Sequence, residues 1–107
     1  MPRTRKVRSD RNHIIYLLRN NHTGGTYIGV SAMIGQAKKK TLDERFRRHL
    51  SRAIHEGKGW ELHKALRRYP DRGDWHKCIL EVIRGRKNAH QRERILIQEF
   101  EADLNTF

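Results

Sequence analysis

Two apolar stretches near the start of the chain, each carrying one tyrosine, most constrain how it folds. The first, "HIIYLLR", begins at His13, and the second, "TYIGVS", begins at Thr26. Between them lies "NNHTGG", which is rich in turn-forming residues. The pattern predicts a strand, a turn and a strand. Because the first strand has apolar residues on both faces, we expect it to be central and buried.

The parity of the turn decides where the two phenols of this hairpin point. If the loop holds an even number of residues, Tyr16 and Tyr27 lie on the same face of the sheet, and an odd loop places them on opposite faces. Buried phenols need hydrogen-bond partners. Two phenols on one face therefore predict a polar spot on an apolar sheet.

Three helices and a third strand are predicted in the rest of the chain. After an irregular loop, "SAMIGQAKKK", a capping box of Thr41 with Glu44 predicts the first helix, which Gly57 ends. A second helix is predicted at 60–69, a strand at 75–83, and a last helix that Asn88 caps. The fold class is therefore α+β, a small three-stranded antiparallel or mixed sheet flanked by three helices in the order β-β-α-α-β-α.

Helical periodicity singles out three polar residues. In the first helix, His49 falls at the margin of the predicted buried stripe and Arg45 lies one turn earlier. In the last helix, Glu93 falls within the buried stripe, between Phe100 and Ile97. An unpaired buried carboxylate is costly, so Glu93 must meet a cation, a hydrogen-bond network or a metal. A salt bridge to an arginine and a metal site remain alternatives.

Composition limits the partners of the protein. The 107 residues include 24 Lys plus Arg against 12 Asp plus Glu, a formal net charge of +12, which favours a polyanionic partner. No apolar stretch approaches the ~20 residues that cross a bilayer, so no membrane contact or secretion is expected. The single cysteine, Cys78, excludes an internal disulfide and a paired-cysteine zinc site. The seven histidines show no spacing typical of a metal site. Residues 1–11 are predicted to form a flexible basic arm, and residues 12–107 a single domain.

Taken together, these elements resemble the GIY-YIG nuclease domain. Its two name motifs stand here as Ile14-Ile15-Tyr16 and Tyr27-Ile28-Gly29, and Ile14 replaces the family's first glycine. The arginine and histidine of the family's first helix match "RFRRH", its metal-binding glutamate matches "ERILI", and an asparagine near the domain end matches Asn105. The resemblance spans residues 13–105.

The resemblance implies a free-standing, metal-dependent DNA endonuclease. Glu93 would hold one Mg²⁺ or Mn²⁺, and Arg45 would steady the phosphate oxygens. Tyr16 is favoured as the base and Tyr27 as an orienting phenol, although either tyrosine fits the base, and neighbouring arginines are expected to lower the phenol pKa. His49 would be an auxiliary base or proton relay, and Asn105 completes the predicted site.

The substrate implied is DNA, double-stranded or branched, cut by a monomer or a DNA-induced dimer. We expect the protein in the cytoplasm of a bacterial or phage-infected cell, or associated with the nucleoid. Exposed cations are expected to bind the phosphate backbone. They are Lys38, Lys39, Lys40, Arg47, Arg48, Arg52, Arg67 and Arg68. Two alternatives remain: a basic RNA- or DNA-binding module without catalysis, and a structural or ribosome-associated protein.

Overall fold

The computed structural model describes residues 11–56 and 59–105. The predicted β-β-α-α-β-α order is confirmed, with a short 3-10 turn added at Arg72–Asp74. The elements are β1 (Asn12–Asn20), β2 (Thr26–Ala32), α1 (Lys38–His55), α2 (Glu61–Arg68), β3 (Trp75–Arg84) and α3 (Arg86–Glu99). All but the last residue of the predicted basic arm lies outside the described ranges. Within those ranges, no helix is long and apolar enough to cross a membrane.

The sheet has the order β2-β1-β3, and both pairings are antiparallel. The central place predicted for β1 is therefore confirmed, and its residues 13–18 are all buried. The pairing of β1 with β3 contains a bulge on the β3 side. Ile15 of β1 pairs with Glu81, whereas the next residue, Tyr16, pairs with Ile79. Because a bulge bends and twists its strand, it adjusts the sheet directly beside Tyr16.

Hydrophobic clusters cover both faces of β1. On one face, Ile14, Tyr16 and Leu18 pack with Phe46 of α1 and with α2. On the other face, Ile15 of β1 and Ile28 of β2 pack with Leu96 of α3. The sheet is thus sandwiched between α1 and α2 on one side and α3 on the other. Ile14, at the position of the family's glycine, is fully buried.

Both predicted helix caps are wrong. Helix α1 begins at Lys38, and Thr41 lies inside its first turn. The Thr41 hydroxyl donates to the Ala37 carbonyl and accepts from the Ile34 amide, so it ties the preceding loop to the helix instead of capping it. The predicted lysine-ended loop is correspondingly shorter, because its three lysines are helical. The predicted end at Gly57 lies outside the described residues.

The start of α3 differs from the prediction for a similar reason. The helix begins at Arg86 after Gly85, whose φ of 92° suits glycine. The Asn88 side chain donates to the Arg84 carbonyl instead of capping an amide. Phe100, predicted to lie on the buried stripe of the last helix, is also exposed, because α3 ends one residue before it at Glu99.

Candidate active site

The centre of the polar cluster is a buried hydrogen bond between β1 and α1. Tyr16 Oη lies 2.7 Å from His49 Nε2, and both residues are buried. Burial raises the pKa of the Tyr16 phenol, and although the Arg45 guanidinium opposes this, burial prevails. Burial, followed by the Arg45 charge, lowers the pKa of His49 to about 3. The pair is therefore a neutral phenol and a neutral imidazole at pH 7.

Tyr27 of β2 lies on the same face of the sheet as Tyr16. Tyr27 pairs with Leu18, which is two residues from Tyr16, so the hairpin register places both phenols together. Their ring centroids are 6.2 Å apart, and the Tyr27 ring lies 5.3 Å from that of His49. The predicted same-face alternative is the one that the fold adopts.

Tyr27 also links this cluster to α3. Burial raises the pKa of its phenol, and the negative charge of Glu93 raises it further. The expected lowering of the phenol pKa by nearby arginines is therefore wrong for both tyrosines, because the cost of desolvating a phenolate outweighs the attraction of Arg45.

Arg45 lies one turn before His49 on α1 and is half-buried. Its Nε is buried and has no hydrogen-bond partner among the described residues. Arg45 also lines a groove of about 410 Å³ with residues of β1, β2 and α3. Because Arg45 lines this groove, its guanidinium group is placed to bind an anion there.

Glu93 is less buried than the helical pattern predicted, since 19 % of its side chain is exposed. Its carboxylate Oε1 lies 3.3 Å from Nδ1 of His90, one turn earlier on α3. Arg92, its immediate neighbour, pairs with Glu81 of β3 instead. Among the described residues there is no group of three or more potential metal ligands. A metal at Glu93 would therefore need oxygen atoms of water or substrate.

Asn105 contacts the backbone of β2. Its side-chain amide accepts from the Ile28 N–H at 2.9 Å and donates to the Ile28 carbonyl at 2.8 Å. Asp103 accepts from the Thr26 N–H at 2.8 Å, and the Leu104 N–H donates to the Thr26 carbonyl. The segment after α3 thus binds the outer edge of β2 on both sides of Tyr27.

The cations predicted to bind nucleic acid are all exposed. Several also make contacts within the chain: Arg47 pairs with Glu44 at 2.6 Å, and Arg67 donates to the Ala53 carbonyl at 3.2 Å, which ties α2 to α1. The lysines at positions 38–40 occupy the first turn of α1, where no acidic residue accompanies them. A cation at a helix N-terminus is locally unfavourable, and an approaching phosphate would relieve that cost.

Two residues of the site were given no role by the sequence analysis. His90 lines the same groove as Arg45 and contacts Glu93, and its place three residues before Glu93 on a helix was the available signal. Gly29 lies under both phenols, because a methyl group there would be 2.4 Å from Tyr16 Oη and 2.9 Å from a Tyr27 ring carbon. Only the motif resemblance pointed to this glycine.

Comparison with solved structures shows that the fold of the chain is a known one. The chain is similar to two solved structures of the catalytic domain of the intron homing endonuclease I-TevI, one of them a point mutant. The mutant is 19% identical with a TM-score of 0.67, covering 90% of this chain and 91% of that one. The other is 18% identical with a TM-score of 0.64, covering 89% and 95%. No curated protein matches the chain.

The family comparison covers nearly the whole described structure. The profile of the GIY-YIG catalytic domain matches residues 12–106. That range includes all three strands, all three helices and each residue of the polar cluster. The chain therefore belongs to the GIY-YIG family of catalytic domains and is classed with its endonucleases.

Proposed function

We propose that this protein is a metal-dependent DNA endonuclease that hydrolyses phosphodiester bonds at the cluster of Tyr16, Tyr27, Arg45, His49 and Glu93. One observation carries the proposal. A buried, partnerless guanidinium nitrogen, a buried phenol–imidazole hydrogen bond and a half-buried carboxylate come together from β1, β2, α1 and α3. Hydrolysis needs cations for the phosphate, proton transfer from water and stabilisation of the departing alkoxide.

Glu93 is the residue that would hold one Mg²⁺ or Mn²⁺. A single carboxylate suits an ion whose other oxygen ligands come from water and from the scissile phosphate. A bound divalent ion supplies positive charge for the phosphate and the departing alkoxide. Arg45 binds the same phosphate from α1 as a permanent, fork-shaped cation, and its place in the wall of the groove supports this role.

Tyr16 and His49 act as a proton relay. Because burial raises the Tyr16 pKa, Tyr16 is not ionised to a phenolate before the reaction begins. Instead, the attacking water gives its proton to Tyr16 Oη while the phenol proton passes 2.7 Å to His49 Nε2. The hydroxide forms a bond to phosphorus, and the electron pair of the breaking P–O bond leaves with the alkoxide. His49 becomes a better proton acceptor when substrate is bound, because the negative charge of the phosphate favours the imidazolium that burial, and next the Arg45 charge, disfavour in the free protein.

Tyr27 orients the water and substrate beside this relay, and Asn105 acts as a positioning residue. Among the described residues, the Asn105 side chain hydrogen-bonds to the backbone of Ile28, so it fixes β2 and thereby the Tyr27 ring. Its contribution is the geometry of the strand, since a displacement of even 1 Å at a reacting centre is costly.

Exposed cations supply most of the affinity for DNA. Each phosphate neutralised releases counterions, so the affinity falls steeply with salt. Lys38, Lys39 and Lys40 are the strongest contributors, because no acidic residue lies in the first turn of their helix. Arg47 contributes less, because Glu44 already pairs with it. One site cuts one strand at each encounter, and a double-strand break requires two protomers or two successive cuts.

Nicking of supercoiled plasmid tests the proposal. Wild type, Glu93→Ala and Glu99→Ala are compared with Mg²⁺, with Mn²⁺ and with chelator; Glu99 is an exposed carboxylate of the same helix and serves as the matched control. Metal-dependent nicking that Glu93→Ala loses and Glu99→Ala retains supports the proposal. Branched DNA and an RNA duplex are offered in parallel. Salt-sensitive binding without cleavage of any of these substrates would overturn it in favour of a binding module.

A further inference from the structure

We propose that His90 is a second protein ligand of the metal held by Glu93, so that the site is a nitrogen-oxygen pair that favours Mn²⁺ over Mg²⁺. The inference rests on the proposed metal role of Glu93. The observation behind it is the 3.3 Å separation between His90 Nδ1 and Glu93 Oε1 on one face of α3.

The spacing of the two residues suits chelation. Residues three apart on a helix project from the same face one turn apart. Two adjacent ligands of an octahedral ion, each about 2.1 Å from the metal, lie roughly 3 Å from one another. The two atoms are therefore near the separation that a shared ion requires, without a change in the backbone of α3.

The surroundings of the pair suit a metal that also contacts substrate. His90 lines the groove that Arg45, Arg86 and Ser31 also line. The His90 side chain is 47 % exposed and that of Glu93 is 19 % exposed, so both can be reached from solvent, and His90 is the member of the pair that lines the groove. The two guanidinium groups leave the groove suited to an anion, and phosphate oxygens together with water would fill the remaining ligand positions.

The ligand types predict which metal the pair prefers. Mg²⁺ prefers an all-oxygen shell and gives up water reluctantly. Imidazole is a ligand of first-row transition metals; Mn²⁺ is the weakest binder of that series and is well suited by carboxylate oxygen, yet as a transition metal it gains more from an imidazole nitrogen than Mg²⁺ does. A histidine beside the carboxylate therefore raises the affinity for Mn²⁺ and leaves that for Mg²⁺ nearly unchanged. The competing explanation is a surface ion pair between His90 and Glu93, which has no effect on metal choice.

Direct metal-binding titrations separate these explanations. Mn²⁺ binding is followed by electron paramagnetic resonance, and Mg²⁺ binding by its competition with Mn²⁺. The proteins are the full chain, His90→Ala, Glu93→Ala and the control His76→Ala, an exposed histidine of β3. We expect His90→Ala to weaken Mn²⁺ binding by about tenfold or more while Mg²⁺ binding changes by less than about threefold. His76→Ala should bind like wild type.

Other results would overturn the inference in distinguishable ways. Equal Mn²⁺ affinities for wild type and His90→Ala, with a loss only in Glu93→Ala, would remove His90 as a ligand and leave the proposed function standing. Equal losses for Mn²⁺ and Mg²⁺ in His90→Ala would show that it only orients Glu93. If Glu93→Ala bound both metals like wild type, the metal role of Glu93 would fail as well. Circular dichroism of each variant verifies folding.

Discussion

Substitution of Gly29 by alanine should displace the phenol at the centre of the site. A methyl group at this position would lie 2.4 Å from Tyr16 Oη, 2.5 Å from Tyr16 Cζ and 2.9 Å from Tyr27 Cε1. Ordinary contacts between heavy atoms are about 3.5 to 4.0 Å, so the Tyr16 ring must move by roughly 1 Å. Gly29 is not among the glycines with positive φ, so the requirement is for space and not for backbone freedom.

The expected loss of stability follows from this displacement. Overpacking a filled core costs about 1 to 3 kcal/mol. A shift of about 1 Å also breaks the 2.7 Å hydrogen bond to His49, whose net contribution is about 0.5 to 1.5 kcal/mol. We therefore expect Gly29→Ala to lower the free energy of unfolding by roughly 2 to 4 kcal/mol. Each kcal/mol lowers the Tm by about 4 to 8 °C in a domain of this size.

Scanning calorimetry of wild type and four variants tests this reasoning. Gly59→Ala is the matched control, because a methyl group at Gly59 meets nothing within 4 Å. Tyr16→Leu removes the ring, so adding Gly29→Ala to that variant should cost much less than in wild type, a coupling that a double-mutant cycle measures. Two results would refute this reasoning: Gly29→Ala lowers the Tm no more than Gly59→Ala does, or it lowers the free energy of unfolding equally with and without the Tyr16 ring. Either would show that contact with Tyr16 is not the reason for a glycine at position 29.

Three further predictions concern the residues around the phenol. Tyr16→Phe should abolish cleavage while preserving the fold, although the unpartnered His49 nitrogen costs about 1 to 3 kcal/mol of stability; near-normal nicking would refute the relay. Asn105→Ala should remove both hydrogen bonds to Ile28 and lose the slow hydrogen exchange of the Ile28 amide, and unchanged protection would contradict the assigned role. Because the His49 pKa falls to about 3 on folding, the unfolded chain binds the extra proton below about pH 6.5. Stability should consequently decline as pH falls from 6.5 towards 4.5, with a limiting slope of about 1.4 kcal/mol per pH unit, and His49→Gln should reduce that slope.

The hairpin and the order of the elements were predictable because each rests on local pattern. Apolar alternation and turn residues locate β1 and β2, and the positions of Tyr16 and Tyr27 leave only the parity of the loop open. The register of the pair decides it: Tyr16 faces Gly29, and Tyr27 faces Leu18. Helical spacing similarly placed Arg45 and His49 one turn apart, and the fold turns that side of α1 towards the sheet.

The helix starts and the ionisation of the site were not predictable, since both depend on contacts distant in sequence. Thr41 is a residue type that often caps helices, yet its hydroxyl accepts a hydrogen bond from the amide of Ile34 in the preceding loop. The many arginines in the sequence predicted a lowered phenol pKa. Tyr16 is, however, completely buried, and the cost of desolvating its phenolate outweighs the attraction of Arg45. Burial of a particular atom is a property of the packed sheet and helices, and no local pattern reports it.

The way β2 is held explains how a small domain keeps this site in place. β2 is an edge strand, and an unpaired edge is a position where a strand frays or pairs wrongly. The segment after α3 binds Thr26 and Ile28 from the outside, and β1 binds the strand from the inside, so the half that carries Tyr27 is hydrogen-bonded along both edges. The other half, residues 30–32, lines the groove beside Arg45. The covered half therefore fixes the phenol, while the open half remains accessible to the phosphate that Arg45 and the metal at Glu93 are proposed to bind.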